Sequence, residues 1–176
     1  AFVGINGPYF GGENIEDDTV GAFIENLDFG LSILTPTALS IVPGLDAYTP
    51  KFVSMKATAD SAGLVGMSDV FEVSLTGIEV ALNSSTAQIG GVTPYLRLGE
   101  SYPAEVDADN DTEADPSEDV DGDGKLDPAG LEVETAGDPV YLDFDDELIR
   151  LSVDSALFNL FDFVYLEGGF TLEKGP

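Results

Sequence analysis

In Lys51–Asp60, and again in Phe71–Leu75 and Ile78–Leu82, apolar and polar side chains alternate, and this period of two limits the folds open to the chain more than any other feature. Val53, Met55, Ala57 and Ala59 alternate with Ser54, Lys56 and Thr58. Phe71, Val73 and Leu75 alternate with Glu72 and Ser74, and Ile78, Val80 and Leu82 follow after Gly77. Successive side chains of a strand point to opposite faces, so the pattern is that of half-buried β-strands. Gly63, Gly66, Gly77 and the Gly90–Gly91 pair punctuate the runs as turns do. No stretch sustains a helical period over three turns, and helix content is expected to be low. Further strands are predicted at Phe2–Ile5, Gly21–Leu34, Pro139–Phe144, Leu148–Val153, Phe158–Leu166 and Phe170–Glu173. Pro36, Pro43 and Pro50 break the segment after Leu34 into irregular connections.

The spacing suits a sandwich, a barrel or a solenoid alike. The fold expected is all-β, a β-sandwich or β-solenoid-like module, with one β-rich domain over 1–176 and an acidic insertion at 103–130. In Phe158–Leu166, Phe161, Phe163 and Tyr165 fall on one face, with Val164 and Leu166 on the other. A strand apolar on both faces is covered on both, inside the domain or by a neighbouring copy. Asp60-Ser61-Ala62 and Asp154-Ser155-Ala156 each precede a strand-like run, either as duplicated strand units or by chance.

The charge balance excludes whole classes of partner. The chain holds 34 acidic and 6 basic residues, a formal net charge of −28. Such a surface repels nucleic acid and anionic membranes, and its self-repulsion calls for a bound or screening cation. Cysteine and histidine are both absent, which removes disulfides, thiolate chemistry, the usual catalytic triads and most zinc sites. Apolar content of 43% with 11 Phe and 6 Tyr argues against general disorder. No run is long and apolar enough to span a membrane as a helix. Ala1 opens the chain without a charged or apolar leader, so a processed or excised product is expected. An acidic, Cys-free chain rich in Gly, Thr, Ser and Asp suits the outside of a prokaryotic cell.

The acids concentrate between Val106 and Gly130. Asp107, Asp109, Asp111 and Asp115 form D-x-D-x-D-x-x-x-D, and Asp119, Asp121, Asp123 and Asp127 repeat it twelve residues later. Calcium takes six to eight oxygen ligands, and alternate carboxylates on a tightly turned loop converge on one point. Counted against the twelve-residue calcium loop, the first copy has acids at positions 1, 3, 5, 7, 9 and 12: Asp107, Asp109, Asp111, Glu113, Asp115 and Glu118. Thr112 stands where that loop has glycine. The second copy has the glycine, Gly124, and the carbonyl of Lys125 at position 7. Its twelfth position is Gly130, with Glu132 within reach as a substitute. Pro103, Pro116 and Pro128 oppose flanking helices. D-x-D-x-D-G-x-x-D over Asp119–Asp127 resembles the calcium loops of thrombospondin type 3 repeats and dockerins, which makes the second copy the safer site. An acidic linker holding ions only diffusely is the bland alternative. Asp143, Asp145, Asp146 and Glu147 offer either a further cation ligand or a polar strand end. Asn83-Ser84-Ser85 and Asn110-Asp111-Thr112 fit the glycosylation sequon.

Two segments look like modules repeated in very large secreted, calcium-binding, adhesin-like surface proteins of bacteria. They are KFVSMKATADSAGLVGMSDVFEVSLTGIEVALN over Lys51–Asn83, and Val140–Lys174, which ends in VYLEGGFTLEK; AFVGING and DFGLSI are similar too. The resemblance implies β-rich tandem units, calcium stabilisation and a role in cell-surface architecture. The function expected is therefore a non-enzymatic, extracellular or cell-surface structural module stabilised by calcium. Its partners would be copies of itself or neighbouring modules, joined head to tail through terminal strands. The alternative is a calcium-dependent carbohydrate-binding or adhesion domain, with Tyr9, Phe10, Tyr48, Tyr95 and Tyr102 as candidate sugar contacts. A halophilic surface would also explain the charge, but it would spread the acids rather than gather them in one loop.

Overall fold

The alternating segments form the two longest strands, β4 (Phe52–Val65) and β5 (Phe71–Ser85). A computed structural model describes residues 1–7, 18–36, 50–67, 70–87, 91–109, 115, 117–120, 122, 124–135, 137–161 and 163–175. Around that pair stand β1 (Phe2–Ile5), β2 (Val20–Glu25), β3 (Asp28–Leu34), β8 (Leu148–Leu160) and β9 (Val164–Lys174). The sheet runs β1-β2-β4-β5-β8-β9, and β3 pairs β4 beside β2. A second sheet is the antiparallel hairpin of β6 (Leu131–Val133) and β7 (Val140–Leu142). The one described helix, α1, is a single turn at Leu98–Ser101. The chain is all-β, as the period of two requires. Its large sheet does not close on itself, so the sandwich-like class fits and a barrel does not. No described helix is long and apolar enough to cross a membrane.

Two predicted strands are corrected. Gly21–Leu34 is not continuous: Asn26 takes a left-handed φ of 48° and divides β2 from β3, while both halves lie along β4. Asn26 holds the break by donating from Nδ2 to Asp60 Oδ2 at 2.6 Å. Phe158–Leu166 is a reversal rather than a strand. β8 stops at Leu160, Phe161 adopts φ 52°, the Phe163 amide donates to the Leu160 carbonyl at 3.0 Å, and β9 returns antiparallel. Phe161 and Phe163 thus stand at a hairpin tip, and Phe163 is 89% exposed. Tyr165 and Leu166 are exposed as well, whereas Phe158 and Val164 are half-buried and Asn159 is buried, so the exposed part of the run is the tip and the start of β9.

By its contacts the chain divides into two compact units. The first is Ala1–Phe29, Ala57–Ala81 and Ile149–Lys174; the second is Gly30–Lys56, Leu82–Leu148 and Gly175–Pro176. In the first, Phe71 and Phe158 pack edge to face with centroids 5.0 Å apart, and Val153, on the same strand as Phe158, is buried. Arg150 bridges Glu79 at 3.6 Å and Glu173 at 2.8 Å, and the Glu173 hydrogen bond raises its pKa further. Each Asp-Ser-Ala triplet lies in the opening strand of a hairpin, β4–β5 or β8–β9. At the second, β8 shifts register between Val153 and Ala156, and Asp154 turns against Gly77.

Gly77 has φ 59°, and a Cβ there would strike the Asp154 carboxylate. Gly77→Ala therefore suffers both a left-handed backbone and a clash, a loss expected at about 2 kcal/mol. Urea denaturation monitored by circular dichroism measures it. A variant as stable as the parent would show that the bulge at Asp154 yields freely.

The second unit is built around a buried polar group. Asn83 and Ser54 have no solvent exposure, and Ser54 Oγ donates to Asn83 Oδ1 at 2.8 Å. Asn83 Nδ2 donates to the carbonyls of Leu96 and Asp146, each at 2.8 Å. The sequon reading of Asn83 is thereby corrected: its amide nitrogen is enclosed and engaged, and cannot carry a glycan in the folded chain. Asn110 lies outside the described residues. Buried Leu98 of α1 and Leu142 of β7 complete this core, with the Leu98 amide donating to Phe144 at 2.7 Å.

Candidate metal centre

The acidic segment is closed at its base by backbone pairing. The Gly130 amide donates to the Tyr102 carbonyl at 2.8 Å, and the Glu105 amide to the Asp127 carbonyl at 2.9 Å. Glu105 then ties the start of the segment to the second repeat. Its carboxylate accepts from the Val120 amide at 2.6 Å and the Asp127 amide at 3.1 Å. Nothing in the spacing of the aspartates singled out Glu105, which precedes the first Asp-x-Asp. Its role follows from two amides that only the folded loop brings to it.

In the first repeat the Asp115 carbonyl accepts from the amides of Glu118 and Asp119, at 2.8 and 3.0 Å. This tight turn carries Glu118 back toward the start of the loop. One carboxylate oxygen each of Asp107, Asp109 and Glu118 then lies within 4.8 Å of the others. These are positions 1, 3 and 12 of the loop count. Glu118 Oε1 accepts from the Ala108 amide at 2.7 Å, whereas Oε2 is buried and has no hydrogen-bond partner among the described residues. A buried carboxylate oxygen left without a donor is costly, and a cation at that point would satisfy it. The three donors are all hard oxygens, a set suited to calcium, magnesium or manganese and not to soft metals. Asp115 is exposed and contributes its carbonyl to the turn; Asp111 and Glu113 lie outside the described residues.

The second repeat, the safer site by sequence, looks different. Asp119 turns both oxygens onto its own loop, accepting from Gly122 at 2.5 Å and Gly124 at 2.9 Å. Gly122 and Gly124 have φ 85° and 84°, the left-handed conformation that makes glycine the residue of choice there. Asp127 Oδ1 accepts from the Tyr141 hydroxyl at 2.6 Å. Lys125 is exposed, Asp121 and Asp123 lie outside the described residues, and Glu132 sits on β6 opposite Tyr141. Among the described residues, only Asp107, Asp109 and Glu118 form a group of three acids this close.

Of the acids after Tyr141, Asp143 and Asp145 have partners for their carboxylates. Asp143 pairs with Lys56 at 3.2 Å, Asp145 Oδ1 accepts from the Glu100 amide at 2.9 Å, and the Asp146 carbonyl serves Asn83. Of the aromatic candidates, Tyr102 is exposed and Tyr95 half-buried, while Tyr9, Phe10 and Tyr48 lie outside the described residues. No protein-family model matches this chain, and neither a curated protein nor a solved structure does.

Proposed function

We propose that the chain is a non-enzymatic structural module of a prokaryotic surface protein or filament, stabilised by calcium and joined to neighbouring modules or copies through its outer strands. The observation that carries this reading is the character of the sheet's two margins. β9 is hydrogen-bonded to β8, and among the described residues no strand lies on its other side. Along it Leu166, Phe170 and Leu172 follow at period two, and all three are exposed. At the opposite margin β1 presents Val3, 80% exposed, and Ile5. Bare apolar edges invite pairing with another chain, and proteins that work alone guard such edges with charge or proline. β1 carries no charge and no proline, and on β9 the charges are Glu167, Glu173 and Lys174, of which Glu173 is already engaged by Arg150 of β8. Support for the ion is the buried Glu118 Oε2, without a hydrogen-bond partner among the described residues, beside Asp107 and Asp109.

Sedimentation in calcium across a range of concentrations tests the assembly. The parent is expected to form larger species as concentration rises. Leu172→Lys, at a position already 63% exposed, is expected to raise the concentration needed by about tenfold, a change of about 1.4 kcal/mol. A monodisperse monomer of the parent at high concentration in calcium would sink the reading.

A further inference from the structure

A cleft of about 450 Å³ opens in the second unit beside the base of the acidic segment. That volume lies within the range of small-molecule sites. Its apolar wall comes from Tyr102, Pro103, Val120, Pro128 and Leu131. Its polar side chains are the acids Glu105, Asp127 and Glu132 with Ser101 and the tyrosines Tyr102 and Tyr141, and no described lining residue is basic. Two of the acids are held firmly: Glu105 by the Val120 and Asp127 amides, Asp127 by Tyr141. An anion is repelled by such a lining. Among the described residues, both oxygens of Glu105 and one of Asp127 already accept hydrogen bonds, and much of the remaining lining is carbon, which suits a bare metal ion poorly. What fits is a cation attached to apolar carbon, whose stem lies on prolines and aliphatic side chains while its charge meets carboxylates and tyrosine rings.

We propose that this cleft binds an ammonium group carried on an aliphatic stem, the chemistry of a lysine side chain. The proposal does not depend on the metal group or on the sheet margins, since none of Asp107, Asp109, Glu118 or β9 lines the cleft. The ammonium can come from a lysine of a partner polypeptide or from a free alkylamine.

Calorimetric titration of the full chain in calcium buffer tests it with four probes: N-acetyl-lysine methylamide, N-acetyl-norleucine methylamide, n-butylamine and methyl glucoside. The lysine derivative is expected to bind at least about tenfold more tightly than its norleucine counterpart, which has a similar stem but no charge. Tighter binding of the lysine derivative than of n-butylamine assigns the site to polypeptide lysine, and the reverse order assigns it to a free amine. Val120→Lys brings a rival ammonium to a position 87% exposed, and is expected to weaken the lysine probe about fivefold or more at unchanged melting temperature. Tyr102→Leu, which removes one ring, is expected to weaken it about threefold. Equal affinity for the lysine and norleucine probes would overturn the proposal, as would binding of methyl glucoside alone, or lysine binding unaffected by both variants.

Discussion

Calcium added to chelator-treated protein is expected to raise the melting temperature of the loop-bearing unit by about 5–10 °C, while sodium chloride of equal ionic strength gives a small part of that rise. The size follows from linkage. A ligand that binds only the folded state, present at a hundred times its dissociation constant, stabilises by about 2.7 kcal/mol. For a chain of this length each kcal/mol moves the midpoint by roughly 2–4 °C. The residue-level control is Glu118→Gln. Glutamine keeps an oxygen for the Ala108 amide but removes the charge that Asp107 and Asp109 would share with an ion. The variant is expected to lose most of the calcium response, and to be no less stable than the parent in chelator, because three clustered acids become two. Equal effects of calcium and sodium chloride would make the loop a screened acidic linker, and the salt-adapted reading would replace the calcium module. A calcium effect that survives Glu118→Gln would move the site to the second repeat, where Asp119 and Asp127 are described.

How far the sequence could be read depends on the range of the interactions that shape each part. The period of two in β4 and β5 is a local signal, written in neighbouring residues, and both strands extend beyond the alternating run. The change of composition near Tyr102 and Gly130 is likewise visible in the sequence, and these two residues are hydrogen-bonded to each other. Counting twelve from Asp107 reaches Glu118, and the turn at Asp115 does bring that residue back. The division of β2 from β3 was not legible: Asn26 tolerates a left-handed backbone, but its partner Asp60 is 34 residues away. The reversal at Phe161 was hidden for the same reason. An unbroken apolar run reads as strand, yet the Phe161 amide donates to Val70, on the neighbouring β4–β5 connection. Glu105 and Asn83 are the clearest cases. Each is an ordinary polar residue in sequence, and each owes its role to backbone groups that tertiary structure delivers.

Asn83→Ala is expected to destabilise the second unit by about 3 kcal/mol, lowering its melting temperature by roughly 6–12 °C. The side chain makes three hydrogen bonds in a site without solvent exposure, and each of its partners belongs to a different segment: Ser54 on β4, Leu96 before α1, and Asp146 after β7. Alanine leaves the buried Ser54 hydroxyl and two part-buried carbonyls without that partner, and a buried polar group so stranded costs about 1–3 kcal/mol. Asn83→Asp sharpens the test. It keeps an acceptor for Ser54 but sets a carboxylate against the Leu96 and Asp146 carbonyls, so it is expected to cost at least as much as alanine. Ser54→Ala removes one neutral bond and is expected to cost about 1 kcal/mol. An Asn83→Ala loss below about 0.5 kcal/mol, the range of ordinary surface substitutions, would mean that water enters and replaces the amide. Asn83 shares no hydrogen-bond partner with Asp107, Asp109 or Glu118. Effects at sites without shared partners add, so calcium is expected to raise the melting temperature of Asn83→Ala by as much as it raises that of the parent. A calcium response lost together with Asn83 would instead show that this buried amide, through Leu96 and the turn of α1, holds the base of the loop in the geometry the ion needs.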